Sequence, residues 1–465
     1  MATLARMLTP MDFGILGAAM VVVSLAEIFS KIGVAPALVQ LPDLTEAHIR
    51  TGFTLTVLFG LIGGALIYIL APTMAGIFRM PELQPVVEVL ALIMPLRSVS
   101  VVSEALVQRH MRFRAMASSI LMGYVAGPAL AAIVFAFLGY GVWSLVIGQL
   151  VQAFVLSAAL IAFARHSIKP MLNGNAVRHL AHFGTGVTLA RFGNYIAFNA
   201  DNFIVGRFLG ADALGFYSRA YQILMQPTAL VGSVGDKVLY PALATVQGER
   251  KRMLRAYYRS MSLVALATFP LSAMLYVLGP EIIGLLLGNQ WTSAVLPFQI
   301  LVLSLAFRTA YKVTGTLMRA VGSVYLLAVW QWMYAIGVIV GAWIGQFYGL
   351  FGVAIGVSAA ITASFWTGVI LARISCSVSL MRVAGIFARY GAASIAVGAL
   401  LAYAKSTALD YDWSPIPTII ACGMLGGLVW AVGWLLIPRL FGEEGVWIRS
   451  NILAGGRTAL LSLRR

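Results

Sequence analysis

The sequence predicts an all-α polytopic membrane protein: two pseudo-symmetric six-helix lobes around a central cleft, followed by two C-terminal helices. Three observations predict it. Of 465 residues, 60% are hydrophobic and 10% charged, with a mean hydropathy of +0.91. A soluble domain carries roughly a quarter charged residues, so this composition excludes a soluble enzyme and a disordered chain. Second, apolar runs near spanning length alternate with short basic or Gly/Pro-rich breaks. Third, a short motif returns about 200 residues later in the same order and spacing.

A helix needs about 20 apolar residues to cross the hydrocarbon. The runs place spans near 13–38, 51–77, 86–107, 115–138, 141–163 and 182–206, then near 213–235, 257–278, 294–317, 324–344 and 350–372. Two more lie near 386–404 and 416–437, about thirteen in all. The opening MATLARMLTPMDFG is too polar for the apolar region of a cleavable signal peptide.

Charge sets the orientation. The net charge is +16, from 32 Lys+Arg against 16 Asp+Glu. One alternate set of gaps holds 24 of those basic residues, from Arg50 and the Arg109–Arg114 group, through Arg308, Lys312 and Arg319, to Arg464 and Arg465. The other set holds Arg6, Arg79, Arg207 and Lys405, and Lys31, Arg97, Arg191 and Arg219 fall within spans. Basic residues gather in cytoplasmic loops, so the excess reports topology rather than nucleic-acid binding, and the C-terminus is expected in the cytoplasm.

The repeat sets the internal symmetry. Leu4-Ala5-Arg6-Met7-Leu8 with Phe13-Gly14 matches Val205-Gly206-Arg207-Phe208-Leu209 with Leu214-Gly215 at a constant offset of 201. Pro36-Ala37-Leu38 returns as Pro241-Ala242-Leu243. An even number of spans separates the copies, so they run in parallel, the arrangement of transporter repeats related by an axis along the membrane normal. The expected organisation is an N-lobe over 1–169, a C-lobe over 170–372, and two extra helices with a cytoplasmic tail over 373–465. A full span precedes Arg207 but only three residues precede Leu4, so a first helix is expected to be missing and the complete protein to have about fourteen spans.

Chemistry-bearing motifs are absent. There is no G-x-x-x-x-G-K-[ST], H-E-x-x-H or C-x-x-C, and Cys376 and Cys422 fit neither a disulfide framework nor a metal spacing. No cofactor, metal or catalytic residue is expected. The informative residues are charges inside spans, since each is costly unless it faces water or a partner. Arg191, Asn194, Tyr195, Phe198, Asp201 and Asn202 share an arc of roughly 120° on an ideal helix, a polar stripe that cannot face lipid. An internal Arg191–Asp201 network and the lining of a wet cleft both account for it. Lys31 lies one turn from Glu27, placed either to pair with it or to snorkel. Arg97 and Glu104 are seven apart on one face, and Arg219 lies among tyrosines near the outer interface. A cleft lined by Lys31, Arg97, Arg191, Arg219, Asn194 and Asn202 would be net positive and concentrate an anion such as a diphosphate. Asp201 and Glu27 are the candidate coupling carboxylates.

Several segments carry a resemblance: Leu4 to Gly14; Phe29-Ser30-Lys31-Ile32-Gly33 with Ala37-Leu38-Val39-Gln40; Ala105-Leu106-Val107-Gln108-Arg109 with Phe113; Leu214-Gly215-Phe216-Tyr217 with Ala220-Tyr221; and Tyr240-Pro241-Ala242-Leu243. Together they resemble the Wzx-type polysaccharide flippases of the multidrug/oligosaccharidyl-lipid/polysaccharide superfamily, closest to the colanic-acid-exporter branch. The resemblance implies an inner-membrane, non-enzymatic transporter that moves undecaprenyl-diphosphate-linked oligosaccharide to the outer leaflet by alternating access. It implies membrane lipid as its surroundings and a polysaccharide polymerase and chain-length regulator as partners. Two other readings compete. A multidrug exporter of the same superfamily would show a carboxylate-rich cleft, and a membrane polymerase of the same pathway would need a sizeable outer loop.

Overall fold

The computed structural model describes residues 2–31, 34–41, 43–234, 239, 249–410, 414–437, 441–447 and 449–450, with side chains left out at 28–31, 181–194, 197, 230–234, 324 and 408–410. Among the described residues the chain is overwhelmingly helical and has no strand. Within those residues, each expected apolar run falls mainly on helix. Among these helices, eight are long and apolar enough to cross a bilayer, or ten when each of two bent pairs counts as one span. The chain is a multi-pass membrane protein, and helices are how such a chain satisfies its backbone polar groups in lipid. It divides into two compact units, Met1–Ser218 and Arg219–Arg465.

The first unit begins with α1 (Ala2–Met7), α2 (Pro10–Lys31) and α3 (Val34–Gln40). The 33-residue α4 (Glu46–Phe78) follows, its start fixed by a capping box between Thr45 and His48. Next come α5 (Leu83–Leu90), α6 (Ile93–Ser98) and α7 (Val101–Arg109). A span follows from α8 (Phe113–Tyr124), a π-helical stretch over Val125–Ala131, and α9 (Ala132–Phe137). Pro128 sits inside that stretch; the missing N–H accounts for the irregular winding. The unit continues through α10 (Val142–Phe163) into α11 (Gly174–Val234), whose helical path breaks at Gly210 (φ 89°, ψ −178°). That conformation is open to glycine alone, and it divides the element where the sequence predicts a gap between two spans.

Two family-like motifs interlock. Arg109 Nη1 donates to the carbonyls of Leu38, Val39 and Leu41 at 3.0, 3.2 and 2.6 Å. These are the orphan carbonyls at the end of α3, so Arg109 serves as a C-cap as well as a basic flank.

The repeat has a physical counterpart. A Cβ added at Gly14 would lie 1.8 Å from the Ala211 carbonyl oxygen, and one at Gly215 would lie 2.0 Å from that of Pro10. The offset that carries Pro10 to Ala211 also carries Gly14 to Gly215. The contact is therefore made twice in opposite senses, as across a two-fold axis. Only glycine lets the two backbones approach so closely.

The second unit contains α12 (Arg250–Val277) and α13 (Gly279–Leu286), then a 3-10 turn over Asn289–Ala294 leading into α14 (Val295–Leu303) and α15 (Leu305–Ala320). It continues with α16 (Val324–Gly345), α17 (Gly349–Cys376), α18 (Leu380–Asp410) and α19 (Pro415–Leu436). Its core is aromatic: Phe365 stacks on Phe387 at 4.8 Å, and Phe269 meets Phe387 edge-on at 5.5 Å. Tyr390 of α18 and Ser262 of α12 share a 2.7 Å hydrogen bond, so α18 packs as an integral part of this unit.

Pro270 lies inside α12. A proline there leaves the carbonyl four residues earlier without its helical donor. That carbonyl belongs to Leu266, and Trp430 Nε1 of α19 donates to it at 3.1 Å. Lys405 of α18 donates to the Val277 carbonyl at 2.9 Å and pairs with Glu281 at 2.8 Å.

Candidate functional site

In the first unit, two of the expected intramembrane charges form an ion pair. Arg97 Nη1 meets Glu27 Oε1 at 2.7 Å, with both side chains mostly buried. This joins a cation expected to line the cleft to a carboxylate expected to couple transport. Ion pairs survive at such depth only when desolvation is met by short, charge-assisted contacts.

Asp201 is 1% exposed. Its Oδ2 accepts the Tyr217 hydroxyl at 2.8 Å, and its Oδ1 accepts the Asn202 backbone N–H at 2.9 Å. Tyr217 is itself fully buried. Replacing it with phenylalanine removes a donor from a buried carboxylate, which costs about 1–3 kcal/mol. Tyr217→Phe is expected to lower the melting temperature in detergent micelles; an unchanged value would show that the bond is dispensable. The neighbouring Asn202 Oδ1 is buried and has no hydrogen-bond partner among the described residues. Tyr195, on the same face of α11, donates its hydroxyl to the Val21 carbonyl. The side chains of Lys31, Arg191 and Asn194 lie outside the described residues, although their backbones are helical.

In the second unit, Arg219 Nη1 donates to Gln222 Oε1 one turn along α11. Two residues further, Tyr221 stacks under Arg308: the guanidinium carbon lies 4.6 Å from the ring centroid, and Arg308 is 5% exposed. One turn beyond Arg308, Lys312 Nζ donates to the Thr228 carbonyl at 3.1 Å. Tyr311, between them in sequence, stacks on Trp330 at 4.1 Å. The 219–228 stretch of α11 and the first half of α15 thus carry three cations and two tyrosines in one region.

Arg308 and Lys312 are the residues the sequence reading missed, because they were counted as loop charges. α15 instead follows α14 with a 44° bend, so the two together pass the test for a span. The sequence did contain the needed pattern: Arg308, Tyr311, Lys312, Gly315 and Arg319 recur at intervals of three and four, as on one helix face.

A family profile described as "Polysaccharide biosynthesis protein" matches residues 3–296, more than half of the chain. The chain belongs to this family of polysaccharide biosynthesis proteins. Among relatives, it is similar to the lipopolysaccharide biosynthesis protein WzxC of Escherichia coli (strain K12), with 24% identity covering 69% of this chain and 65% of that protein. It is also similar to the succinoglycan biosynthesis transport protein ExoT of Rhizobium meliloti (strain 1021), with 26% identity covering 72% and 67%. The chain therefore spans just under two thirds of the first of these relatives. In fold, this member of the polysaccharide biosynthesis family is similar to the lipid II flippase MurJ in an inward closed conformation. That match has a TM-score of 0.75 at 15% identity and covers 94% of this chain and 97% of that one. An inward-facing multidrug resistance MATE family transporter of the MOP superfamily matches with a TM-score of 0.67 at 15% identity, covering 81% and 93%.

Proposed function

We propose that this chain flips undecaprenyl-diphosphate-linked oligosaccharide repeat units from the cytoplasmic to the outer leaflet of a bacterial inner membrane. The products would feed exopolysaccharide, capsule or O-antigen assembly. The chain acts as a transporter rather than an enzyme, with its C-terminus in the cytoplasm. Within a family of polysaccharide biosynthesis proteins, one observation carries this reading: Arg308 is buried inside a spanning helix and stacked on Tyr221, two residues from Arg219. A buried arginine at that depth is costly to keep, and a guanidinium matches two phosphate oxygens at once.

Carrying a diphosphate and its sugars through hydrocarbon unaided is prohibitive. A wet, cationic path replaces the lost hydration. Lys31, Arg97, Arg191 and Arg219, with Asn194 and Asn202, remain the proposed ligands, and Arg308 and Lys312 join them. Alternating access would come from rocking of the 1–169 and 170–372 lobes, with 373–465 travelling with the second. Glu27 neutralises Arg97 in this state, so its protonation would release a cation toward the substrate. Asp201 is the second candidate for such a proton. A polysaccharide polymerase and a chain-length regulator are the partners expected to take the product.

The reading is tested in cells deleted for the gene. Spheroplasts are treated with a membrane-impermeant reagent that modifies lipid-linked oligosaccharide. The intermediate is expected to accumulate and stay protected. Accumulation of single repeat units open to the reagent would overturn the reading in favour of a polymerase.

A further inference from the structure

The first unit has a side pocket that shares Arg97 with the proposed transport path but otherwise is built from residues that path does not use. α6 and α7 meet at a 42° bend. At the bend the Ser100 hydroxyl donates to the Arg97 carbonyl at 2.9 Å and lies 3.0 Å from the Ser157 hydroxyl of α10. Beside it is a cavity of about 180 Å³, with Arg97, Ser100 and Glu104 on one wall and Met116, Ile120 and Leu156 on the other. Ile120 is 50% exposed, and the adjoining Leu121 and Met122 are exposed as well. Such a run of exposed apolar residues on a spanning helix marks its lipid-facing side, so the lip of the cavity belongs to the bilayer.

The polar wall carries two unmet demands. Arg97 spends Nη1 on Glu27, while its buried Nε has no hydrogen-bond partner. The Glu104 carboxylate has no donor among the described residues. Among the described residues that line the cavity, the wall carries one cation, Arg97, and one carboxylate, Glu104. A lone cation would leave the Nε–H unsatisfied and meet Arg97; a lone anion would face Glu104. A ligand with a phosphate and a primary ammonium answers both groups. The cavity, roughly the space of six waters, suits such a head group, and the apolar wall suits the start of its acyl chains.

We propose that this pocket binds the head group of phosphatidylethanolamine, with Arg97 facing the phosphate and Glu104 accepting from the ammonium. A choline head group has no N–H to give Glu104 and is bulkier, so the site selects the primary amine. Arg97 is common to this inference and the proposed transport path, but the transported substrate has no ammonium for Glu104, so a preference for phosphatidylethanolamine reads this pocket and not the transport path.

The test is native mass spectrometry of the full chain purified in detergent. It is doped with equal amounts of phosphatidylethanolamine, phosphatidylcholine and phosphatidylglycerol of matched acyl chains. One phosphatidylethanolamine is expected to be retained about tenfold over the other two, the scale of a hydrogen bond to a charged group. Glu104→Gln should erase that preference, and Ile120→Trp, at the lip, should lower retention of the lipid. Equal retention of all three lipids, retention of phosphatidylglycerol instead, or a preference unchanged in the variants would overturn the proposal. Thermal unfolding of each variant checks its fold. If Glu104→Gln does not fold, Ile120→Trp alone decides.

Discussion

Replacing Gly14 with valine is expected to abolish polysaccharide export and to destabilise the protein. The Cβ of any larger residue would fall 1.8 Å from the Ala211 carbonyl oxygen. That atom belongs to backbone and cannot swing aside like a side chain. Overpacking of a tight contact costs about 1–3 kcal/mol where side chains can adjust, and here two helices must separate. Gly215→Val is expected to do the same, because its Cβ would fall 2.0 Å from the Pro10 carbonyl oxygen. Since both substitutions push apart the same helix pair, the double variant should be far less than additive. Complementation of a deletion strain, membrane protein level and thermal unfolding measure these effects. Wild-type export by either single variant, or strict additivity of the pair, would show that the close crossing does not constrain the protein.

Arg308→Ala is expected to reduce the translocation rate at least about 30-fold, while the protein still reaches the membrane. Removing the guanidinium from a charge-assisted contact with the proposed diphosphate costs about 2–5 kcal/mol, and about 1.4 kcal/mol is a factor of ten in rate. Arg308→Lys keeps the charge but loses the planar fork and the stacking on Tyr221, so it should recover part of the rate only. Leaflet-specific labelling of the lipid-linked intermediate gives the rate, and immunodetection gives the protein level. A purely structural Arg308 predicts the opposite pattern: less protein, with normal export per molecule.

The helical architecture was legible because lipid imposes a strict rule. Long apolar runs separated by short polar breaks leave few alternatives to membrane helices, and the breaks near residues 210 and 346 carry glycines with positive φ, Gly210 and Gly349. The duplication was legible at Gly14 and Gly215 because a backbone crossing tolerates no side chain at either copy. The side-chain pairing was less legible. Glu27 has Lys31 one turn away on its own helix, but its described partner is Arg97, 70 residues further on. Local spacing cannot rank a neighbour in sequence against one brought close by folding. Arg308 and Lys312 escaped for a related reason: both fall inside the expected 294–317 span, but basic residues toward the end of an apolar run read as loop charges, and spacing alone does not reveal the Tyr221 and Thr228 contacts that folding gives them. Arg109 reads from sequence as a cytoplasmic flank, but its contacts with three carbonyls make it a cap as well. The proposed roles of Lys31, Arg191 and Asn194 fall on side chains outside the described residues.

The bond from Trp430 to the Leu266 carbonyl sets a condition on how the protein is made. The two residues are 164 positions apart, so α12 enters the bilayer well before the ribosome has made its donor. Until then, the carbonyl released by Pro270 lacks this partner, and an unsatisfied group in hydrocarbon costs several kcal/mol. The early helix must therefore wait at a wetter depth or borrow a temporary donor. Its final seating belongs to the last stage of synthesis. A chain stopped before α19 would lose more than a terminal helix, since a segment inserted long before would be left unfinished.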